Sequence, residues 1–238
     1  MSPPRLHVPD ELAAGRMVPL AADRAHYLRT VLRLRDGAPV RLFNATAGEW
    51  SGWITAGGRH RVEIELDRCL RAPMPEPGPT LVFAPIRRNR LDWLVEKSVE
   101  LGVARLVPVL TERAVARPDN AVRLAAIAVE AAEQCERLTV PGVDAPQALG
   151  HWLEARDPAV PLLLALERGG GMPLIAAARR WPEAELLVGP EGGFSEREQA
   201  ALLALPGTAP VSLGERILRA ETAALYALVS WQLARLQP

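Results

Sequence analysis

The chain has 238 residues, and its 28 basic side chains are matched by 28 acidic ones, so it lacks the basic excess of an indiscriminate nucleic-acid binder. Nearly half of it is apolar, yet no uninterrupted hydrophobic run approaches the roughly 18 residues of a membrane span. The start, Met1-Ser2-Pro3-Pro4-Arg5, lacks the apolar centre of a signal peptide, Cys69 and Cys135 form no CxxC, and His7, His26, His60 and His151 have no metal-ligand spacing; a cytoplasmic protein with reduced thiols, no membrane contact and no metal is expected.

In chain order, a helix is predicted over Asp23–Leu34. Three short alternating segments follow, Val40–Phe43, Glu49–Ile54 and Arg61–Leu66, parted by Gly or Asn turns as the strands of a small β-barrel are. Residues 1–72 hold 11 basic and 8 acidic side chains against 17 and 20 in the remainder, which permits RNA contact by the first part. Four prolines, Pro73, Pro75, Pro77 and Pro79, forbid a helix or a central strand and read as a stiff linker over 73–79. Beyond it, strands and helices alternate. Strands are predicted at Thr80–Ala84, Leu106–Leu110, Pro161–Leu166, Leu186–Val188 and Pro210–Ser212. Helices are predicted at Arg88–Leu101, Asn120–Glu136, Pro173–Arg180, Glu196–Leu205 and Arg219–Arg235. Such alternation predicts an α/β domain over 80–238 with a mainly parallel sheet. Lys97 is the only lysine, set against 27 arginines, which reads as a compositional bias.

Two strand-to-helix turns carry the most information. Leu186–Glu196 reads LLVGPEGGFSE and Val211–Thr222 reads VSLGERILRAET. In the first, Ser195 with Glu198 three residues on forms a capping box. Glycines in both turns would let backbone amides approach a small polar cofactor, although plain turns use glycine too. Glu167-Arg168-Gly169-Gly170-Gly171 has no phosphate-loop lysine and reads as a flexible turn.

GPEGGFS followed by SLGERILRAET resembles the signature of the SPOUT-class RNA methyltransferases, and within them the bacterial 16S rRNA uracil-N3 methyltransferase family. Arg90–Val103 (RLDWLVEKSVELGV), Thr111–Val115 (TERAV), Ala131–Arg137 with Val140-Pro141, and His26–Gly37 (HYLRTVLRLRDG) are similar to further elements of that family in the same order. Glu136 departs from it, standing where glycine is frequent. The resemblance implies a PUA-like N-terminal barrel and a SPOUT domain with a trefoil knot, where physics alone would favour an unknotted Rossmann-like order. It further implies S-adenosyl-L-methionine as cofactor, N3 of a uridine in the decoding region of 16S rRNA as acceptor, free rRNA or the assembled small subunit as substrate, and a homodimer.

In that setting Leu166, Gly189, Pro190, Glu191, Gly192, Gly193, Leu213, Gly214, Ile217, Leu218 and Thr222 are the expected cofactor residues. Methylating N3 requires the imide proton to leave, so the site must stabilise a uridine anion or supply a base. Arg219 is the candidate for the first task or for clamping a phosphate, with an ion pair to Glu221 as its structural alternative. Glu191 could take the proton, bind the cofactor ribose or brace the loop; Thr222 could equally be a capping hydroxyl. Arg5, Arg29, Arg33, Arg35, Arg88 and Arg137 are the candidates for RNA phosphates. Leu225, Leu228, Val229 and Trp231 on the last helix are candidates for the dimer contact or for the core. A SPOUT enzyme acting on another RNA atom, such as a ribose 2′-hydroxyl, and a non-catalytic ribosome-assembly factor are the alternatives.

Overall fold

The computed structural model describes residues 3–56, 61–114, 120–166 and 170–236. Met1 and Ser2, His60, Val115 and the Glu167–Gly169 part of the expected flexible turn lie outside the described residues. Two compact units emerge. One comprises residues 1–76 with 132–140, the other 77–131 with 141–238.

The first unit contains β1 (Arg5–His7), β2 (Met17–Pro19), α1 (Ala22–His26), β3 (Pro39–Asn44), β4 (Gly48–Ala56) and β5 (Val62–Arg71). They form one sheet in the order β1-β3-β4-β5-β2. Only the β1–β3 pairing is parallel. Alternation drives burial: Val62, Ile64 and Leu66 of β5 point into the core beside Ile54, Val40 and Leu42, while their neighbours face outward. The helix expected over Asp23–Leu34 is shorter. After α1 the chain widens into a π-helical turn over Tyr27–Val31, with the Leu32 N–H bonded to the Tyr27 carbonyl (3.0 Å), and Arg33 then adopts φ 55°. The widened turn keeps Leu28 fully buried in the core, a tertiary demand that a regular helical period does not announce.

One carboxylate sits inside this unit. The β4–β5 register shifts between Glu49, Trp50 and Gly52, and Glu49 is 1% exposed. It accepts from Arg5 Nε (3.1 Å), Arg41 Nη1 (3.2 Å) and Arg71 Nε (2.9 Å). Arg5 also lies 3.4 Å above the Phe43 ring and donates to the carbonyls of Ala132 (2.7 Å) and Arg137.

The second unit contains β6 (Thr80–Phe83), α2 (Arg88–Glu100), β7 (Arg105–Leu110), most of α3 (Ala121–Gln134), β8 (Gly142–Val143), β9 (Gln147–Ala148), α4 (Leu149–Ala155), β10 (Leu162–Ala165), β11 (Met172–Pro173), α5 (Leu174–Arg180), β12 (Glu185–Val188), α6 (Glu196–Ala204), β13 (Thr208–Ser212) and α7 (Ala220–Leu236). The sheet order is β11-β13-β10-β12-β6-β7-β8, with β9 also pairing with β7, and every pairing is parallel. The central strands read as continuous apolar runs, Leu162-Leu163-Leu164 and Leu186-Leu187-Val188, because helices cover both faces. α7 packs on α5 and α2, with Trp231 Nε1 donating to the Pro182 carbonyl (3.0 Å) and Gln232 Nε2 to that of Leu101 (2.8 Å). Among the described residues no helix is long and apolar enough to cross a membrane.

Candidate functional site

β10, β12 and β13 end at one level, since Ala165 is the register partner of both Val188 and Val211. The crevice beyond the carboxyl ends of parallel strands is where α/β sheets bind ligands. Here it holds a cavity of about 300 Å³. Leu166 enters it from β10. Gly189, Pro190, Glu191, Gly192 and Gly193 line it from the β12–α6 loop, and Leu213, Gly214, Ile217 and Leu218 from the β13–α7 loop. Of the residues expected to hold a cofactor, only Thr222 is absent from the lining; it is exposed in the first turn of α7.

Local chemistry fixes the first loop. The Gly193 N–H bonds to the Pro190 carbonyl (2.9 Å), and Gly193 takes φ 66° in that turn. At Gly189 any Cβ would stand 2.9 Å from Cε2 of Phe194, whose ring packs into the core with Leu164 and Leu187. The expected capping box is present. Ser195 Oγ accepts from the Glu198 N–H (3.1 Å), and the Glu198 carboxylate accepts from the Ser195 N–H (2.9 Å). The other Glu198 oxygen accepts from the Glu112 N–H (2.7 Å), tying the segment after β7 to the start of α6. In the second loop, Ser212 Oγ accepts from the Gly214 N–H (3.2 Å) and Gly214 takes φ 101°.

The cavity lining is mixed in character. Leu166, Val188, Leu213, Ile217, Leu218 and Ala223 make an apolar wall, while Arg113, Glu191, Gln199 and Arg216 add polar groups. Arg113, Gln199 and Arg216 were not singled out from the sequence. Arg113 lay within the quoted TERAV element, and its spacing from the glycine loop gave no sign of their meeting. Arg113 Nη1 donates to the Gly192 carbonyl (3.3 Å). Arg90 pairs with two carboxylates near the site: its Nη1 lies 3.4 Å from Glu221 of α7 and 3.9 Å from Glu191. The structural alternative for Arg219, an ion pair with Glu221, is not formed among the described residues, and Glu221 pairs with Arg90 instead. Arg219 itself is exposed, immediately ahead of α7, lies outside the cavity lining and makes no side-chain hydrogen bond or ion pair among the described residues.

The arginines assigned to RNA divide by burial. Arg33 and Arg35 are exposed, as is Arg88 at the first position of α2. Arg29 is half-buried, pairs with Asp36 and donates to the Leu34 carbonyl (3.1 Å). Arg5 and Arg137 are 8% and 9% exposed. Arg5 is engaged with Glu49 and two carbonyls, and Arg137 with Glu76 (3.5 Å) and Thr139 (2.9 Å). These two guanidiniums are buried and engaged in contacts within the first unit. On α7, Leu228 and Trp231 belong to the core, whereas Tyr226, Val229, Leu233 and Leu236 form an exposed stripe. Among the described residues no three His, Cys, Asp or Glu side chains form a group that could hold a metal ion.

Comparison with known proteins gives the class. Residues 75–232 match a family model described as an RNA methyltransferase domain, and residues 20–67 one described as an RNA methyltransferase PUA domain. The chain is 32% identical to the ribosomal RNA small subunit methyltransferase E of Rickettsia conorii, covering 96% of this chain and 95% of that one. It is 33% identical to the protein of the same name from Synechocystis, covering 94% and 75%. The crystal structure of the Neisseria gonorrhoeae ribosomal RNA small subunit methyltransferase E bound to S-adenosyl methionine superimposes with a TM-score of 0.85 at 30% identity, covering 98% of both chains. Fold, cavity and these matches define an RNA methyltransferase with a PUA domain. Within that class, the chain belongs to the ribosomal RNA small subunit methyltransferase E family.

Proposed function

We propose that the protein transfers a methyl group from S-adenosylmethionine to N3 of a uridine in the decoding region of 16S rRNA, acting in the cytoplasm as a homodimer. The observation that carries this reading is the convergence of the two glycine loops, 189–193 and 213–218, on one cavity at the ends of β10, β12 and β13. The residues fit the cofactor: an apolar wall suits an adenine, backbone amides near Gly189 and Gly214 suit its polar edges and ribose, and charged side chains suit the amino-acid end. When bound, the cofactor supplies a methyl group already activated on a sulfonium. The chain's remaining tasks are to hold the acceptor in line, exclude water and manage one proton. Glu191, on the cavity wall, is the candidate to receive the imide proton. Arg219, exposed and uncommitted at the entrance to α7, is the candidate cation for the uridine anion.

RNA contact is assigned to Arg33 and Arg35 with Arg29 in the first unit and to Arg88 in the second. The exposed stripe of Tyr226, Val229, Leu233 and Leu236 recurs at the 3- and 4-residue spacing of one helical face and supports a contact between copies. A trefoil knot in which the last helix threads a loop belongs to the same reading. The test is methyl transfer from labelled cofactor to unmodified small subunits and to free 16S rRNA, with mass spectrometry of the digested nucleosides. 3-Methyluridine is the expected product, and it would fix the base and atom that receive the methyl group. Another methylated nucleoside would overturn the acceptor assignment and favour a different RNA atom. RNA binding with no transfer would favour an assembly factor.

A further inference from the structure

We infer that Arg113 is the residue that recognises the carboxylate at the amino-acid end of the cofactor; this deepens the cofactor assignment above and rests on it. The cavity's chemistry divides the ligand. A neutral adenosine belongs against the wall of Leu166, Leu213, Ile217 and Leu218, which leaves the charged tail for the side chains that carry charge or strong dipoles. Two cations line the cavity, Arg113 and Arg216. They are not equivalent. Both are exposed, but Arg216, on the β13–α7 loop, makes no side-chain hydrogen bond or ion pair among the described residues. Arg113 is held from three directions. Its backbone belongs to a turn closed by the Ala114 N–H on the Thr111 carbonyl (3.2 Å). The preceding Glu112 N–H is fixed by Glu198 (2.7 Å), the residue that also caps α6. Its own Nη1 rests on the Gly192 carbonyl (3.3 Å).

That carbonyl uses one N–H of a guanidinium that has five, so an edge capable of paired hydrogen bonds to a carboxylate stays available. Because the guanidinium is already positioned, little side-chain freedom remains to be lost on binding, which favours it over Arg216. Its partner Gly192 directly follows Glu191 in the chain, and both Arg113 and Glu191 line the cavity. A cation and an anion thus flank the same loop, in keeping with a ligand tail that carries both a carboxylate and an ammonium.

The test uses two ligands and the full chain. S-adenosylhomocysteine has the carboxylate; 5′-methylthioadenosine shares the nucleoside thioether and lacks the amino-acid end. Isothermal calorimetry on Arg113→Ala is expected to show about tenfold weaker binding of S-adenosylhomocysteine, the size of one lost charge-assisted contact, with methylthioadenosine affinity unchanged within about twofold. Arg113→Lys should recover part of the loss, since it keeps the charge and forfeits the paired geometry. Unliganded melting temperatures of both variants should match the parent chain, as expected for an exposed side chain. Equal weakening of both ligands would overturn the inference and reduce Arg113 to a shaper of the loop, and unchanged affinity for both would overturn it as well. A parent chain that binds neither ligand would instead refute the cofactor assignment beneath it.

Discussion

Glu136 ends the α3 segment with φ 60°, in the left-handed region that glycine enters freely and a residue with a Cβ enters at a cost. Its side chain is 61% exposed, and its ion pair with Arg41 spans 3.7 Å, so little is lost by removing it. Glu136→Gly is expected to stabilise the protein by about 0.5–1 kcal/mol, read as a higher midpoint in urea unfolding. Arg219 poses the opposite case, a residue whose removal should leave folding alone. Because Arg219 is exposed and outside the cavity lining, Arg219→Ala should bind cofactor normally in calorimetry and lose on the order of a hundredfold or more in single-turnover methyl transfer, as removal of a preorganised charge does. Near-normal turnover would remove it from the mechanism. Residue type told the reader of the sequence that Arg5, Arg137 and Arg219 carry charge. Only burial separates the first two, locked inside a unit, from the third.

At the scale of elements, the strand pair β4–β5 carries a buried carboxylate with three arginines around it. Burial alone would push the Glu49 carboxyl up, but hydrogen bonds from Arg71 and Arg5 outweigh it and hold the group below its ordinary value of 4.5. The unfolded chain therefore takes the proton first. Glu49's contribution is full above about pH 4.5 and is lost as pH falls through the depressed folded value. His7 acts in the same direction: burial, then the charges of Arg24 and Arg5, lower its value from 6.5, so protonating it below that pH also costs stability. Glu49→Gln should cost about 3 kcal/mol at pH 7 by leaving the buried Arg5 without its counter-charge, and its stability should fall less steeply than that of the parent chain below pH 4.5. Equilibrium denaturation across pH 3–8 checks both, with two-state analysis restricted to the first unit's transition. Legibility also divides by element. Ser195 and Glu198 announced the α6 cap because a cap is made within four residues of chain. The short strands β8, β9 and β11 were missed because two residues have no period, and each exists only through its pairing with β7 or β13.

For the whole molecule the open surface of α7 is the element with consequences beyond one chain. Tyr226, Val229, Leu233 and Leu236 are exposed on a helix whose other faces are packed against α2 and α5. If two copies meet there, Leu233→Glu places a charge in the contact and should yield a monomer in analytical ultracentrifugation with the fold retained by circular dichroism. Activity should fall with the dimer fraction if the pocket is completed by the second copy; an active monomer would refute that dependence. The sequence pointed to this helix and offered Leu225, Leu228, Val229 and Trp231 equally for such a contact or for the core; Leu228 and Trp231 take the second role. Both are in the core, because α7 turns them toward its own neighbours, and helical periodicity gives a face without saying which surface it meets.

Neighbours along the chain set the alternation that makes a parallel α/β unit, the capping box, and the two glycine turns with their order. Those features are set by backbone stereochemistry and short-range periodicity. Tertiary structure alone decided that both glycine turns close one cavity, that Arg113 joins them from 79 residues before Gly192, and that Arg90 bridges Glu191 and Glu221. It also decided that Arg5 and Arg137 are internal. These are contacts between residues far apart in the chain, chosen by sheet order and burial, and no local pattern encodes which distant partner a side chain will find.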